Sequence, residues 1–169
     1  MEMHGGTIEA RSEGPGRGSE FTVRVPLIEP PAHAQRASDT AAKLAGRRIL
    51  VIDDNLDAAE TLALVLKTLG AEVRVADSGF SGLDVYRAYR PEVVLLDIGM
   101  PGMDGYEVAR RIRADASGSR TSLVALTGWG QDEHRQKARE AGFDHHLVKP
   151  AEIPALQALL GSLPQRGMS

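Results

Sequence analysis

The 169-residue sequence contains no cysteine, so it cannot form a disulfide framework, use a thiol nucleophile or bind a metal through cysteine ligands. No apolar run approaches the roughly 20 residues that are needed to cross a bilayer. The first residues have neither the basic region nor the apolar region of a signal peptide. These absences predict a cytoplasmic protein without a membrane segment in this chain.

An excess of positive charge is also missing. The formal net charge is -3, whereas a nucleic-acid-binding domain needs a strongly basic face. Hydrophobic residues make up 42% of the chain and charged residues 25%, which is typical of globular domains. We therefore expect a folded domain that does not bind nucleic acid.

The pattern of the sequence divides the chain into four predicted parts. These are a hairpin in residues 1–28, a linker in residues 29–46, a main domain in residues 47–163 and a tail in residues 164–169. The hairpin is indicated by two strand-like segments around a turn that is rich in Gly and Pro. The linker begins where Pro30 and Pro31 stop the second strand, and little in it could be buried.

The main domain alternates five times between strand-like and helix-like segments. The predicted strands cover residues 49–52, 72–76, 93–96, 123–126 and 143–148, and the predicted helices cover residues 62–69, 80–90, 106–112, 131–141 and 153–163. Continuous apolar strands are covered on both faces, and right-handed crossovers then predict a doubly wound parallel α/β sheet. Phe80, Leu83 and Tyr86 supply the apolar positions of the second helix, and Arg113 on the third is predicted to face solvent.

Four of the five predicted strands are followed by a polar side chain of a type that takes part in catalysis or metal binding. Asp53 and Asp54 follow the first strand, Asp97 the third, Thr127 the fourth and Lys149 the fifth. Sites in doubly wound sheets lie outside the carboxyl ends of the strands. These five side chains are therefore predicted to form one site.

Each of these groups suits the phosphorylation of an aspartate. Clustered carboxylates repel one another and favour a hard cation such as Mg²⁺, which takes oxygen ligands. A carboxylate oxygen of Asp97 can attack a phosphoryl group, while the Lys149 ammonium and the Thr127 hydroxyl stabilise charge on its oxygens. Asp54 and Asp97 are predicted to hold the metal, and Asp53 to act through a water.

Each group taken alone also has an ordinary structural explanation. Asp54 or Asn55 can cap the helix that follows, Thr127 can be a structural strand residue, and Lys149 with Pro150 can be a plain loop. The combination at successive strand ends favours the functional interpretation.

The main domain resembles the receiver domains of response regulators. The resemblance is carried by the segments Ile49 to Asn55, Val94 to Glu107, Ala125 to Gly128 and Val148 to Pro150. It implies a flavodoxin-like fold with strand order 2-1-3-4-5 and helices on both faces, phosphorylation of Asp97 and a bound Mg²⁺. It further implies that the Gly99 carbonyl is a metal ligand and that the Lys149–Pro150 bond is cis.

The same resemblance implies a switch formed by Thr127 and the residue three before Lys149. Many receivers have Tyr or Phe at the second position, whereas this chain has His146. We predict that Thr127 and His146 are the switch residues of this domain.

Residues 4–28 resemble the last hairpin of a histidine-kinase ATP-binding domain. The chain is thus similar to the C-terminal piece of a hybrid histidine kinase whose parent protein is tethered to a membrane. No kinase activity is expected of this piece, because a phosphodonor helix and an adenine pocket are not seen in its sequence. Residues 1–46 are expected to be dispensable for accepting a phosphoryl group.

The leading functional hypothesis is a phosphorelay receiver that takes its phosphoryl group from a phosphohistidine. Its partner would be a histidine kinase or a histidine phosphotransfer domain, and a weak homodimer is also expected. The domain would catalyse only its own phosphorylation and dephosphorylation. The alternatives are an interaction module that works without phosphorylation, and a phosphatase, which would need an acid where this chain has Gly99.

Overall fold

The computed structural model of the chain describes residues 7–11, 18, 20–24, 44–128 and 132–164. Several sequence predictions fall outside these residues: those for the linker up to residue 43, for the tail from residue 165 and for Gln131 at the start of the predicted fourth helix. The chain divides into two units, residues 1–35 and residues 36–169. Among the described residues, no helix is long and apolar enough to cross a membrane.

The first unit contains a β-hairpin. Its strands are β1, Thr7–Arg11, and β2, Glu20–Arg24, and they pair antiparallel with Thr7 opposite Arg24. The hairpin predicted from alternating apolar residues is therefore confirmed.

The second unit alternates strands and helices as the sequence predicts. Its strands are β3 (Arg48–Ile52), β4 (Glu72–Ala76), β5 (Val93–Asp97), β6 (Ser122–Thr127) and β7 (His145–Val148). Its helices are α1 (Leu56–Thr68), α2 (Gly79–Tyr89), α3 (Gly105–Ala114), α4 (Asp132–Ala141) and α5 (Ile153–Ser162), with a 3-10 turn at Gly118–Arg120. The five strands are parallel and lie in the order β4-β3-β5-β6-β7, which confirms the predicted order 2-1-3-4-5.

The sheet is covered on both faces. Along β3, Leu50 and Ile52 belong to one buried cluster, while Ile49 and Val51 belong to the other. Alternate residues of a strand point to opposite faces, so each cluster lies on its own side of the sheet. This two-sided burial explains why the strands are continuous apolar runs.

The buried face of α2 differs from the predicted one. Phe80 is 62% exposed, and the buried residues are Gly79, Gly82, Leu83 and Tyr86. A Cβ placed on Gly82 would lie 2.6 Å from Ile52 Cδ1, so another residue at this position would fit only if the Ile52 side chain shifted. Glycines form half of the contact face, and apolar periodicity alone does not detect them.

Arg113 does not face solvent as predicted. Its guanidinium donates to the carbonyl oxygens of Thr121 at 2.8 Å and Gly142 at 2.7 Å, and also to that of Gly118. It also forms an ion pair of 2.7 Å with Asp144. Arg113 thus connects the end of α3 to two loops by donating hydrogen bonds to their carbonyl oxygens.

Leu44 departs from the predicted division between linker and domain. It falls in the predicted linker, yet its side chain is completely buried in the cluster that contains Leu156 and Leu160. Arg47, nearby in the sequence, is also buried and donates to the carbonyl oxygens of Leu160, on the last helix, and of Leu163, directly after it. The segment before β3 thus contributes to the core of the second unit.

Replacing Leu44 with Ala is expected to lower the free energy of unfolding by about 2–5 kcal/mol, the usual cost of removing a buried leucine side chain. Chemical denaturation of the full chain measures this change. Leu64→Ala is the matched control, because Leu64 is 63% exposed and its loss should cost less than about 0.5 kcal/mol. Equal effects of the two substitutions would show that Leu44 does not belong to the core, and that a chain beginning at Gly46 retains full stability.

Candidate phosphorylation and metal site

The five predicted site residues all lie at the carboxyl ends of the parallel strands. Asp53 and Asp54 directly follow β3, and Asp97 and Thr127 are the last residues of β5 and β6. Lys149 directly follows β7. Because neighbouring parallel strands are nearly in register, these strand ends form one edge of the sheet.

Three carboxylates form the acidic part of the site. One oxygen each from Asp53, Asp54 and Asp97 lie within 4.8 Å of one another. Asp53 is 2% and Asp97 8% exposed, whereas Asp54 is exposed. Carboxylate oxygens at this spacing fit a hard divalent cation such as Mg²⁺, which would relieve their mutual repulsion.

Lys149 supplies the positive charge beside these carboxylates. Its Nζ lies 2.6 Å from Asp53 Oδ2 and 3.0 Å from Asp97 Oδ2. Burial by itself lowers the pKa of Lys149, but the hydrogen bonds with Asp53 and Asp97 outweigh it, and the pKa is raised overall. The side chain therefore stays an ammonium and links the two buried aspartates.

Backbone amides hold the remaining oxygens of the two buried aspartates. The Asn55 amide donates to Asp53 Oδ1 at 3.0 Å, and the Gly99 amide donates to Asp97 Oδ1 at 3.2 Å. Both oxygens of Asp53 thus have protein partners. The cap of α1 is Asn55, whose side chain accepts from the Ala58 amide at 3.1 Å, so the capping role does not fall to Asp54.

Thr127 and the strand beside it complete this edge. Thr127 is half-buried, and its hydroxyl donates to the Leu147 carbonyl over a long distance of 3.4 Å. Its own carbonyl accepts from the Lys149 amide at 2.7 Å. The Lys149–Pro150 bond is cis, as predicted, and His146 is exposed on β7.

Gly99 leaves open space next to Asp97. A Cβ placed on Gly99 would meet only Asp97 Oδ2, at 4.0 Å, which is an ordinary contact distance. Among the described residues, and apart from the chain neighbours of Gly99, no side chain other than Asp97 comes within 4 Å of this point.

An open cleft of about 820 Å³ adjoins the site, and the sequence patterns did not predict it. It lies between α1 and the segment that leads from β7 into α5, and its lining includes Asp53, Thr61, Leu62, Lys149 and Ile153. Ile153 is 48% exposed, so the lining combines an accessible apolar side chain with the charged Asp53 and Lys149. No local signal in the sequence marks Thr61, Leu62 and Ile153 as parts of one cleft, because they come from two helices that are far apart along the chain.

Comparisons with known proteins agree with this geometry. A family model for the response regulator receiver domain matches residues 49–161. The virulence sensor protein BvgS of Bordetella bronchiseptica is 35% identical over 179 residues, covering 98% of this chain and 14% of BvgS. A probable histidine kinase of Oryza sativa subsp. indica is 34% identical over 125 residues, which is 64% of this chain and 12% of that protein. The chain spans a small part of these relatives' length.

Solved structures show the same fold. The Vibrio cholerae chemotaxis protein CheY4 has a TM-score of 0.66 and 28% identity, covering 69% of this chain and 97% of CheY4. The receiver domain of sensor histidine kinase PA1611 from Pseudomonas aeruginosa has a TM-score of 0.63 and 31% identity, covering 69% of this chain and 95% of that one. That structure has a magnesium ion coordinated in its active site cleft. The parallel sheet, the acidic strand ends and the family match together show that the chain belongs to the response regulator receiver domain family.

Proposed function

We propose that Asp97 accepts a phosphoryl group from a phosphohistidine and that the site binds Mg²⁺ to do so. The observation that supports this most directly is the environment of the Asp97 carboxylate. Its Oδ2 lies 3.0 Å from the Lys149 ammonium, and its Oδ1 accepts from the Gly99 amide. The group is held in place beside Lys149, which lines the open cleft through which we propose that the phosphoryl donor approaches.

The proposed transfer uses side chains at the carboxyl ends of four of the parallel strands. A carboxylate oxygen of Asp97 attacks the phosphorus, the P–N bond to the donor imidazole breaks, and its electron pair returns to the ring. Lys149 and the Thr127 hydroxyl donate hydrogen bonds to the phosphoryl oxygens. Asp53, Asp54, Asp97 and the carbonyl of Gly99 would hold Mg²⁺, which supplies charge neutralisation for phosphoryl transfer when it is bound.

The test is the reaction of the purified chain with acetyl phosphate and Mg²⁺, followed by intact mass. One added phosphoryl group per chain is the expected result, and it should depend on the metal. An unchanged mass would overturn the proposal and favour an interaction module that works without phosphorylation.

The proposed partner is a histidine kinase or a histidine phosphotransfer domain that presents its phosphohistidine at the cleft. The apolar lining residues Leu62 and Ile153 offer a contact surface in the same cleft as the charged Lys149. A cytoplasmic location fits such a donor. A weak homodimer stays a prediction that sedimentation at several concentrations tests, and Thr127 and His146 stay the proposed switch residues.

We also propose that the hairpin of the first unit is the end of a histidine-kinase ATP-binding domain. The similarity to BvgS covers 98% of the chain and therefore takes in the hairpin. The remaining domain proposals follow from this one: a linker before the receiver, a short tail after it and no kinase activity in this piece. Incubation with labelled ATP and no other kinase should leave the chain unlabelled.

Mg²⁺ affinity is expected to fall more in Asp54→Ala than in Asp53→Ala. Both oxygens of Asp53 are held by Asn55 and Lys149, whereas Asp54 is exposed at the same cluster and is the expected direct ligand. Calorimetric titration with Mg²⁺ measures both variants against wild type. The division of roles is wrong if the two substitutions weaken binding equally.

The phosphorylated protein is expected to lose its phosphoryl group slowly. Hydrolysis of the acyl phosphate needs a water held in line with the phosphorus, and Gly99 has no side chain that could orient one. Gly99→Asn, whose Cβ would meet only Asp97 Oδ2 at an ordinary contact distance of 4.0 Å, should shorten the lifetime of the phosphoprotein after the donor is removed. A short wild-type lifetime that Gly99→Asn leaves unchanged contradicts this prediction. Trp129, the only tryptophan, is a candidate fluorescence probe for the decay.

A further inference from the structure

Gly105, the first residue of α3, lies against the backbone of Asp97. A Cβ placed on Gly105 would lie 2.3 Å from the backbone oxygen of Asp97 and 2.8 Å from Ile98 Cα. Real Cβ atoms do not come this close to backbone atoms, and backbone cannot turn aside as a flexible side chain can. Any residue other than glycine would therefore push α3 and the Asp97–Ile98 peptide apart.

That peptide belongs to the same short stretch of chain as the site. The Gly105 amide donates to the Ile98 carbonyl at 3.1 Å, and the next residue, Gly99, donates its amide to Asp97 Oδ1 at 3.2 Å. The other oxygen of Asp97 lies 3.0 Å from Lys149 Nζ. Movement of the peptide would therefore change both contacts of the carboxylate.

The helix has little freedom to move away instead. Val108, Ala109 and Ile112 of α3 are completely buried. A Cβ placed on Gly79, at the start of α2, would lie 2.8 Å from Val108 Cγ2, so α2 and α3 are already in close contact. The strain of a side chain at position 105 would consequently fall largely on the segment that carries Asp97.

We propose that Gly105 is a positioning residue for the phosphoacceptor: the absence of its side chain sets the place of the Asp97 carboxylate relative to Lys149. The inference rests on the proposed function of Asp97. A displacement of about 1 Å in a reacting group can slow a reaction by about 10²-fold. Gly105→Ala is thus expected to slow phosphorylation by acetyl phosphate by about that factor while the protein remains folded.

A second glycine provides a matched control. A Cβ on Gly118 would lie 2.0 Å from the Ile112 backbone oxygen, at the other end of α3. Gly118 precedes β6, at the edge of the sheet opposite the site. Gly118→Ala should destabilise the protein in a similar way but leave the rate of phosphorylation and the site unchanged.

The experiment compares wild type, Gly105→Ala and Gly118→Ala in three measurements. These are the free energy of unfolding, the rate of phosphorylation at saturating Mg²⁺, and the NMR shift of the metal-free Gly99 amide, which reports its hydrogen bond to Asp97. We expect only Gly105→Ala to change the last two. If Gly105→Ala does not fold, the substitution is combined with Arg90→Gly and the measurements are repeated. Arg90 has a φ of 49°, which glycine adopts more readily than arginine, so Arg90→Gly should stabilise the chain.

The outcomes separate the two proposals. A wild type that takes up no phosphoryl group overturns the proposed function. If wild type is phosphorylated and Gly105→Ala reacts at the same rate, with an unchanged NMR shift of the Gly99 amide, the positioning role alone is overturned. Failure of Gly105→Ala to fold in both backgrounds would also overturn it, because the glycine would then serve folding and not the site.

Discussion

Asp97→Asn is expected to gain no phosphoryl mass from acetyl phosphate and Mg²⁺ under conditions in which wild type gains one group. An amide oxygen is a far weaker nucleophile than a carboxylate oxygen, so the substitution removes the proposed acceptor. Asp53 also contacts Lys149 but is the more buried of the two, 2% against 8% exposed, and Asp54 is exposed. The loss should therefore be complete, as judged by intact mass.

The control for this substitution lies on the same loop. Asp104 caps α3 by accepting from the Glu107 amide at 2.8 Å, and Asn is an equally good cap. Asp104→Asn should accordingly be phosphorylated like wild type. A phosphoryl group on Asp97→Asn would show that the acceptor is another residue, which peptide mapping after borohydride reduction would identify.

The second large effect is expected from Lys149→Met. Methionine keeps most of the volume of the side chain but removes the ammonium that lies against Asp53 and Asp97. Loss of one positioned donor to the transferring group costs about 10²–10³-fold in rate. The affinity for Mg²⁺ should rise at the same time, because the carboxylates lose their competing cation.

Opposite changes in metal affinity and rate distinguish this role from general damage to the site. Lys67→Met, at an exposed position near the end of α1, should change neither quantity. A fall in Mg²⁺ affinity together with the rate in Lys149→Met would mean that Lys149 holds the site together and does not act on the phosphoryl group.

The raised pKa of Lys149 sets the pH range in which its ion pairs contribute to the free energy of unfolding. A raised pKa means that the ion pair contributes fully to stability below the ordinary value of 10.5 and loses its contribution only as the pH rises through the higher folded value. The difference in unfolding free energy between wild type and Lys149→Met should therefore stay constant between about pH 7 and pH 9. Denaturation curves at several pH values test this.

The position of the site could be predicted from the sequence because parallel strands run in one direction. Once the apolar runs are recognised as parallel strands, the residues after them must meet at one edge, whatever the order of the strands. Asp53, Asp97, Thr127 and Lys149 were found in this way. The same apolar runs also predict that alternate strand residues belong to two buried clusters, one on each face of the sheet.

The contact face of α2 could not be predicted in this way. Periodicity of large apolar residues assigned Phe80 to the buried face, but the structure buries Gly79 and Gly82 and leaves Phe80 exposed. A glycine carries no hydropathy signal, and its value here is the missing Cβ that lets α2 approach Ile52. The same holds for Gly105, whose close contact with Asp97 is a property of the packed structure.

What the sequence alone determined is the set of strands and helices, the strand direction and the chemistry at the strand ends, since each depends on residues close together in the chain. The burial of Leu44, the carbonyl contacts of Arg113 and the cleft between α1 and α5 were decided only by the tertiary structure. Leu44 is buried by Leu156 and Leu160 from the opposite end of the domain. A local pattern does not record such partners, because the same residues on an isolated segment would lie in water.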